Sequence, residues 1–495
     1  MSLADKANIL IFMSRSITAN YIFNLLNTIS GILFPLITFP YSSRILLAEG
    51  IGEVSFYQSI ISYISLVVGL GIPLYAVREI ARVRNDRKQL NVTTIEILSL
   101  HGITTLIGYL VVAILCFTVP KIQTDLPLFL LLSSSIFLTT IGCEWFYKGI
   151  EDFKYITVRG LIVRMIGIIL LFTLVKTKND ILWYGITITL TSVGNSVFNF
   201  IRLRKYLCIC NIDRRSINPF KHLKSVGITF LLVLLSTIYL TLNPVILGFM
   251  TDDVYVGYYY GGIKLFSLVF GIIDSLTAIL LPRFSNLMAE GRDEEFTAIS
   301  QKVYSFTVGI SLPISVGLFF VSQYAIPILG GNSFIPSIGV SQILSVLLVL
   351  VGLSNVFGMQ TLYPKGKVYI MVKVTLMACI ADLLVCFLTI PTFKHYGAAM
   401  GYLAAELVAT MGLYIMGRKY ISIRLFDKSI THYLFAVILM GGGLYVLQSL
   451  NWNNLLMCTI MMCVGAFIYV LSLLLLKDSL ILEGLAIVQN KCLKK

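Results

Sequence analysis

Six charged side chains lie inside long apolar runs of this sequence: Arg164, Lys264, Lys373, Asp274, Asp382 and Glu406. A charge near the middle of a bilayer costs about 2.5–3.5 kcal/mol on insertion scales, so each implies a partner or a hydrated cavity. Lys264 lies about a third of the way into its run from one end. Arg164 and Lys373 stand nearer the opposite ends of theirs. Asp382 and Glu406 fall near mid-run, Asp274 is deeper, and Glu96 and Glu144 are close to run ends. Cations at more than one depth suit an anionic solute or headgroup, phosphate above all, because Arg and Lys hold it through charge-assisted hydrogen bonds. Acids at mid-depth suit a coupling proton or cation. The competing reading is that they balance nearby cations.

Spacing limits which of these groups can pair. Glu144 and Lys148 are four apart and share a helix face. Lys373 and Asp382 are nine apart, about 180° around a helix, and Lys264 and Asp274 are ten apart, about 80° around, so neither pair meets directly. Arg164 and Lys373 lie within about two turns of a run end, where snorkelling to the interface is the structural alternative. Tyr258–Tyr260 and Trp145–Tyr147 fall near run ends, which predicts an interfacial aromatic belt, with sugar stacking as the functional alternative.

The elements that position these groups follow from composition. The 495 residues are 57% hydrophobic and 13% charged, with mean hydropathy +0.88. Too little polar material is present to coat a soluble surface of this size, which excludes a soluble enzyme, a disordered chain and a nucleic-acid reader. Continuous apolar runs such as 161–175 lack the alternation of a transmembrane barrel. A spanning helix needs about 20 mostly apolar residues. By that rule the chain predicts an all-α polytopic membrane protein of about fourteen spans: 17–43, 54–77, 92–118, 127–147, 157–176, 181–201, 226–250, 255–281, 303–328, 337–360, 368–391, 397–417, 431–449 and 455–476. Pro35, Pro40, Pro73, Pro244 and Pro313 lie in or near spans and permit kinks.

The net charge of +14 has an address. With the termini and even-numbered loops taken as one side, 30 of the 38 Lys and Arg fall there, against five on the other side. That asymmetry predicts both termini in the cytoplasm and an even number of spans, and it removes the need for a nucleic-acid partner. The N-terminal stretch lacks a clear cleavage pattern, so the first apolar segment is expected to be retained.

The nine cysteines suggest neither a disulfide framework nor a zinc site, Cys208 and Cys210 in their basic stretch included. The four histidines are far apart in sequence. GxSxG, HExxH and a P-loop ending in GK[ST] are all absent. No catalytic constellation, metal or other cofactor is expected, and any driving energy would come from an ion gradient or the membrane potential. A faint internal echo links Ile51–Gly52, followed by Phe56–Tyr57, with Val256–Gly257, followed by Tyr258–Tyr260, at an offset of 205 residues or six segments. Such a repeat predicts two bundles with a site between them.

Three phrases carry a family resemblance. Residues 30–86 (SGILFPLITFPYSSRILLAEGIGEVSFYQSIISYISLVVGLGIPLYAVREIARVRND) resemble the N-terminal signature of Wzx-type oligosaccharide flippases, the O-antigen and capsule-repeat transporters of the MATE-like multidrug/oligosaccharidyl-lipid/polysaccharide superfamily. Residues 143–164 (CEWFYKGIEDFKYITVRGLIVR) resemble that family's fourth-to-fifth helix region, and 281–288 (LPRFSNLM) the end of its eighth helix. The resemblance implies two six-helix lobes, 1–215 and 216–430, around a central cavity, with helices 13 and 14 and a cytoplasmic tail in 431–495. It implies alternating-access transfer of a polyprenyl-diphosphate-linked oligosaccharide across the bacterial cytoplasmic membrane for surface polysaccharide synthesis, with membrane lipids and a polymerase or chain-length apparatus as partners. The family's cavity is typically cationic. Matching positions here are Arg44, Arg78, Arg159, Arg164 and Arg283, some of them able to serve helix ends or gates instead; Lys264 and Lys373 are added from the residues alone. A peptidoglycan lipid-precursor flippase would carry the same diphosphate. A multidrug exporter of the superfamily often uses an acid in its first helices, and 17–43 and 54–77 contain none. A membrane polymerase or ligase typically needs a sizeable outer loop, and the outer loops here are short.

Overall fold

In hydrocarbon a backbone must satisfy its N–H and C=O groups within its own segment, and helices do so. The computed structural model describes residues 17–207, 217–450 and 452–478, and among these every long element is helical and none is a strand. Ten helices are long and apolar enough to cross a membrane, or eleven if the pair Ile181–Val193 and Asn195–Leu203, bent by 41°, is one span. The expected count of fourteen is therefore not confirmed, although every expected segment overlaps a helix. The first of the ten, Leu25–Val83, covers two expected segments at once.

The chain divides into two compact units. The first holds the residues up to Leu46 and Tyr57–Thr237; the second holds Leu47–Phe56 and the residues from Ile238 onward.

In the first unit, α1 (Ile17–Gly69) contains Pro35 and Pro40 and breaks at Leu47, whose φ of 57° and ψ of −174° are not helical. That break delivers Leu47–Phe56 to the second unit. Gly71, at φ 72°, turns the chain into α2 (Ile72–Val83), with Pro73 in its first turn where no helical N–H is lost. A Cβ at Gly71 would lie 2.6 Å from the backbone nitrogen of Phe230, so only glycine suits this position. Asp86 caps α3 (Arg87–Thr118) by accepting from the N–H groups of Lys88 and Gln89. Then follow α4 (Pro120–Thr124), α5 (Leu126–Gly142), α6 (Glu144–Gly149), α7 (Phe153–Leu174), α8 (Ile181–Val193) and α9 (Asn195–Leu203). Tyr57 fastens one end of this unit, its hydroxyl meeting Lys121 O at 2.8 Å and Asp125 Oδ2 at 2.7 Å. At the other end Tyr75, Trp145, Phe146 and Tyr147 are buried together in one apolar cluster. The expected interfacial belt at 145–147 is therefore interior packing, because α6 folds back against α2.

A short 3₁₀ turn, Pro219–His222, leads into α10 (Leu223–Met250), whose residues to Thr237 belong to the first unit. The second unit continues with α11 (Asp253–Ala289), α12 (Asp293–Gly330), α13 (Ser337–Asn355, extended by a π-helical stretch Val356–Leu362), α14 (Val368–Phe393), α15 (His395–Gly417), α16 (Lys428–Leu447) and α17 (Asn454–Leu475). α14 and α15 form a tightly packed hairpin. α16 and α17 pack on α12, where Tyr469 donates to Gly309 O at 2.6 Å, so the last two helices are integral to this unit.

Candidate functional site

The expected cations are held by different neighbours. Arg164, on α7, reaches α1: its Nη1 donates to Asn27 O at 3.2 Å, to Asn27 Oδ1 at 3.1 Å and to Ser30 Oγ. Glycines make room for this clamp, since a Cβ at Gly160 would lie 3.3 Å from Asn27 Oδ1. Arg44 is exposed and donates to Pro40 O one turn back on α1. Arg78, 61% exposed, shares Glu79 with Arg82 at 3.3 and 3.2 Å. Lys264, half-buried on α11, holds its ammonium 5.0 Å from the Tyr260 ring centroid, one turn earlier. Lys373 lies on an exposed stripe of α14 with Tyr369, Leu376, Ile380 and Phe387. Asp382 lies on the opposite, buried face, as nine-residue spacing requires. Arg283 and Asp274 fall among residues 272–283 of α11, whose side chains lie outside the described ones.

The acids occupy the interior of the second unit. Asp382 is 0% exposed; Oδ1 accepts from the Cys386 thiol at 3.5 Å, and among the described residues Oδ2 lacks a partner within ordinary hydrogen-bond geometry. Asn243 on α10 lies beside it and donates to Ala398 O at 3.2 Å, while its own Oδ1 is unpartnered, as is the hydroxyl of buried Tyr259. Gly401 lets α15 approach, since a Cβ there would lie 2.7 Å from Asp382 Oδ1. A carboxyl buried among neutral polar side chains suits a group that takes up a proton or a cation. Glu406, also buried, accepts from Ser354 Oγ at 3.4 Å. Asn243 was not among the expected residues, and Tyr259 was expected only within the aromatic run Tyr258–Tyr260; the signal available was an amide next to Pro244 within an apolar run.

The first unit carries buried acids as well. Glu96 on α3 is 0% exposed, and its carboxylate accepts from the Asn218 backbone N–H at 2.9 Å, from Lys221 Nζ at 2.6 Å and from His222 Nε2 at 3.2 Å. His222 Nδ1 in turn meets the Tyr75 hydroxyl at 2.6 Å. This knot ties the turn Pro219–His222 to α2 and α3. Beside it, Glu144 pairs with Lys148 at 2.9 Å, as the four-residue spacing predicts, and with buried Arg159 at 3.4 Å; Arg159 also reaches Asn199. Asp152 holds Arg202 at 2.7 Å, with that guanidinium 3.8 Å from the Tyr155 ring centroid.

Residues 17–288 match the family model described as polysaccharide biosynthesis protein, and residues 160–465 match the model described as lipid II flippase MurJ. Each covers more than half of the chain. The chain belongs to both families. Among its relatives are two proteins named "Putative O-antigen transporter": one from Shigella dysenteriae, 27% identical over 373 residues, covering 74% of this chain and 90% of that protein, and one from Escherichia coli (strain K12), 25% identical over 391 residues, covering 77% and 92%. The fold matches a solved lipid II flippase MurJ in an inward closed conformation, with TM-score 0.73 at 14% identity over 91% of this chain and 98% of the other. It also matches an inward-facing MATE-family multidrug resistance transporter of the MOP superfamily, with TM-score 0.61 at 17% identity over 84% and 97%. The resemblance carried by residues 30–86, 143–164 and 281–288 is therefore borne out at the level of family. The chain is a multi-pass membrane protein of the polysaccharide biosynthesis and MurJ families.

Proposed function

We propose that the chain flips a polyprenyl-diphosphate-linked oligosaccharide from the cytoplasmic to the outer leaflet of a bacterial cytoplasmic membrane, by alternating access, to supply surface polysaccharide synthesis. The observation that carries this reading is the pair of overlapping family matches, to polysaccharide biosynthesis proteins and to lipid II flippases, which together span 17–465. The chemistry of the cargo sets the requirements. A glycan and a diphosphate cannot enter hydrocarbon unaided, whereas the polyprenyl tail can remain in lipid. The protein therefore replaces water with donors and does no covalent chemistry; it is a transporter, not an enzyme.

In this reading Arg164 and Lys264 meet the diphosphate within the membrane, Arg44 and Arg78 meet it toward the outer and cytoplasmic ends, and Lys373 adds charge from α14. Asp382 is the leading site for a coupling proton or cation, with Glu406 and Asp274 as further candidates. The functional halves are 1–215 and 216–430, followed by 431–495, with both termini cytoplasmic. A polymerase or chain-length apparatus receives the product. No metal or organic cofactor enters the scheme.

A second reading, transfer of a peptidoglycan lipid precursor, is favoured by the MurJ match over 160–465. One experiment separates the two: delete the gene and analyse the accumulated polyprenyl-linked sugars by mass spectrometry. The first reading expects a polysaccharide repeat unit on the carrier, the second expects the peptidoglycan precursor, and accumulation of neither refutes both.

A further inference from the structure

The first unit contains a cavity of about 240 Å³, roughly the space of eight waters at ~30 Å³ each. It opens among the second half of α1, α5 and α8. Its polar lining includes Gln58, Ser62, Ser135, Thr139, Thr189 and Ser192. Ile61 and Leu132 supply apolar wall. Among the described residues no charged side chain lines it.

One of these hydroxyls is set apart, although Thr139 bonds back to Ser135 O at 2.7 Å. Elsewhere on the same helices serines and threonines bond back to their own backbone: Ser55 to Ile51 O at 2.6 Å, Ser134 to Leu131 O at 2.6 Å, Thr187 to Trp183 O at 2.9 Å and Thr191 to Thr187 O at 2.9 Å. That is the ordinary way for a hydroxyl to be satisfied in a membrane helix. Thr189 departs from it: it is 7% exposed, lines the cavity, and its Oγ1 has no hydrogen-bond partner. A buried hydroxyl left so costs free energy unless an occupant bonds it.

We propose that this cavity is a subsite for one neutral sugar ring of the glycan, separate from the cations that meet the diphosphate. An anion or a cation would need a counter-charge that the wall lacks. A polyprenyl chain would leave the hydroxyls and the Gln58 amide unsatisfied. A pyranose offers hydroxyls around its edge and C–H groups on its face, which match a wall of alcohols and an amide broken by Ile61 and Leu132. This inference rests on the flippase reading and adds to it a place where the sugar, not the carrier, is read.

The test compares two lipids on the purified full-length chain: the saccharide-bearing polyprenyl diphosphate extracted from cells lacking the protein, and bare polyprenyl diphosphate. Thr189→Val keeps the volume and removes the hydroxyl; Ser192→Ala removes a second hydroxyl from the lining. Combined, they are expected to weaken binding of the saccharide-bearing lipid about tenfold, as the loss of two neutral hydrogen bonds implies, and to leave the bare lipid unchanged. Unchanged bare-lipid binding also shows that the variant is folded. If both lipids weaken equally, or neither does, the subsite is refuted while the flippase reading stands. If the unaltered protein binds neither lipid, both fall.

Discussion

Gly52 and Gly257 face each other across a helix crossing inside the second unit. A Cβ on Gly52 would lie 1.8 Å from the carbonyl oxygen of Asp253, and a Cβ on Gly257 would lie 1.9 Å from that of Ala48. The contact is reciprocal: residues 48 and 52 are offset by 205 from 253 and 257, the offset of the internal echo in the sequence. The echo therefore marks a local two-fold crossing of α1 and α11, in which each glycine admits the other helix's backbone. Small residues of this kind let membrane helices approach closely.

The first prediction follows from that approach. Gly52→Ala and Gly257→Ala each press a methyl group onto a backbone oxygen that cannot swing away, and should each cost about 1–3 kcal/mol. Gly442→Ala on α16, where a Cβ meets nothing within 4 Å, is the control. Thermal unfolding in detergent reads all three; equal midpoints would mean that the crossing has slack.

Leu47 lies in a backbone region that is essentially reserved for glycine, at a cost of order 1–3 kcal/mol. Leu47→Gly is expected to preserve or raise stability while retaining export, although glycine elsewhere in a helix destabilises. Leu47→Val should do the reverse. A loss of folded protein in Leu47→Gly would show that the half-exposed leucine side chain outweighs the dihedral.

Arg164 has two roles to separate. Asn27→Ala with Ser30→Ala removes two of the side-chain acceptors that hold the guanidinium but leaves its charge. If the charge serves the substrate, the double variant keeps most export, whereas Arg164→Ala loses at least tenfold and Arg164→Lys falls between. If the double variant is as defective as Arg164→Ala, the residue is a helix clamp.

Asp382→Asn keeps the shape of the buried carboxyl and removes its ability to ionise. It should leave insertion and thermal stability close to normal and reduce gradient-driven transport about tenfold or more, measured in proteoliposomes with and without an imposed ion gradient. Full activity under a gradient would make Asp382 structural.

Glu96→Gln keeps an oxygen for the Asn218 N–H but replaces the charged acceptor of Lys221 and His222 with an NH2 group, and should cost about 1.5–3 kcal/mol. Lys221→Met should cost less, because Lys221 is half exposed and water screens its pair. Urea or thermal unfolding ranks the two; equal effects would contradict the dominance of the buried partner.

Helix positions and family were legible in this sequence because both are local: a run of apolar residues forms a helix whatever lies around it, and phrases such as LPRFSNLM are contiguous. The Glu144–Lys148 pair was legible for the same reason. Long-range partners were not. Glu96 and His222 are 126 residues apart, and nothing in either segment names the other. The Asn243–Tyr259–Asp382 neighbourhood needs three helices to be brought together. The hydroxyls of α8, in the phrase ITITLTSV, were visible as letters, but the absence of a partner at Thr189 became visible only in three dimensions. The expected belt at Trp145–Tyr147 failed because hydropathy reports depth and says nothing of which way a short helix turns.

The break at Leu47 bears on how the protein is made. Ile51, Val54 and Phe56 are each fully buried in the finished molecule, among partners that begin at residue 238. At a translation speed of about 5–20 residues per second, Gly257 leaves the ribosome roughly 10–40 seconds after Gly52. During that interval an early stretch of the nascent chain waits in the bilayer without its final neighbours. A gene cut between the halves would consequently yield one fragment bearing an orphaned ten-residue piece and another with a gap of the same size, so reassembly from two polypeptides requires that piece to be handed across.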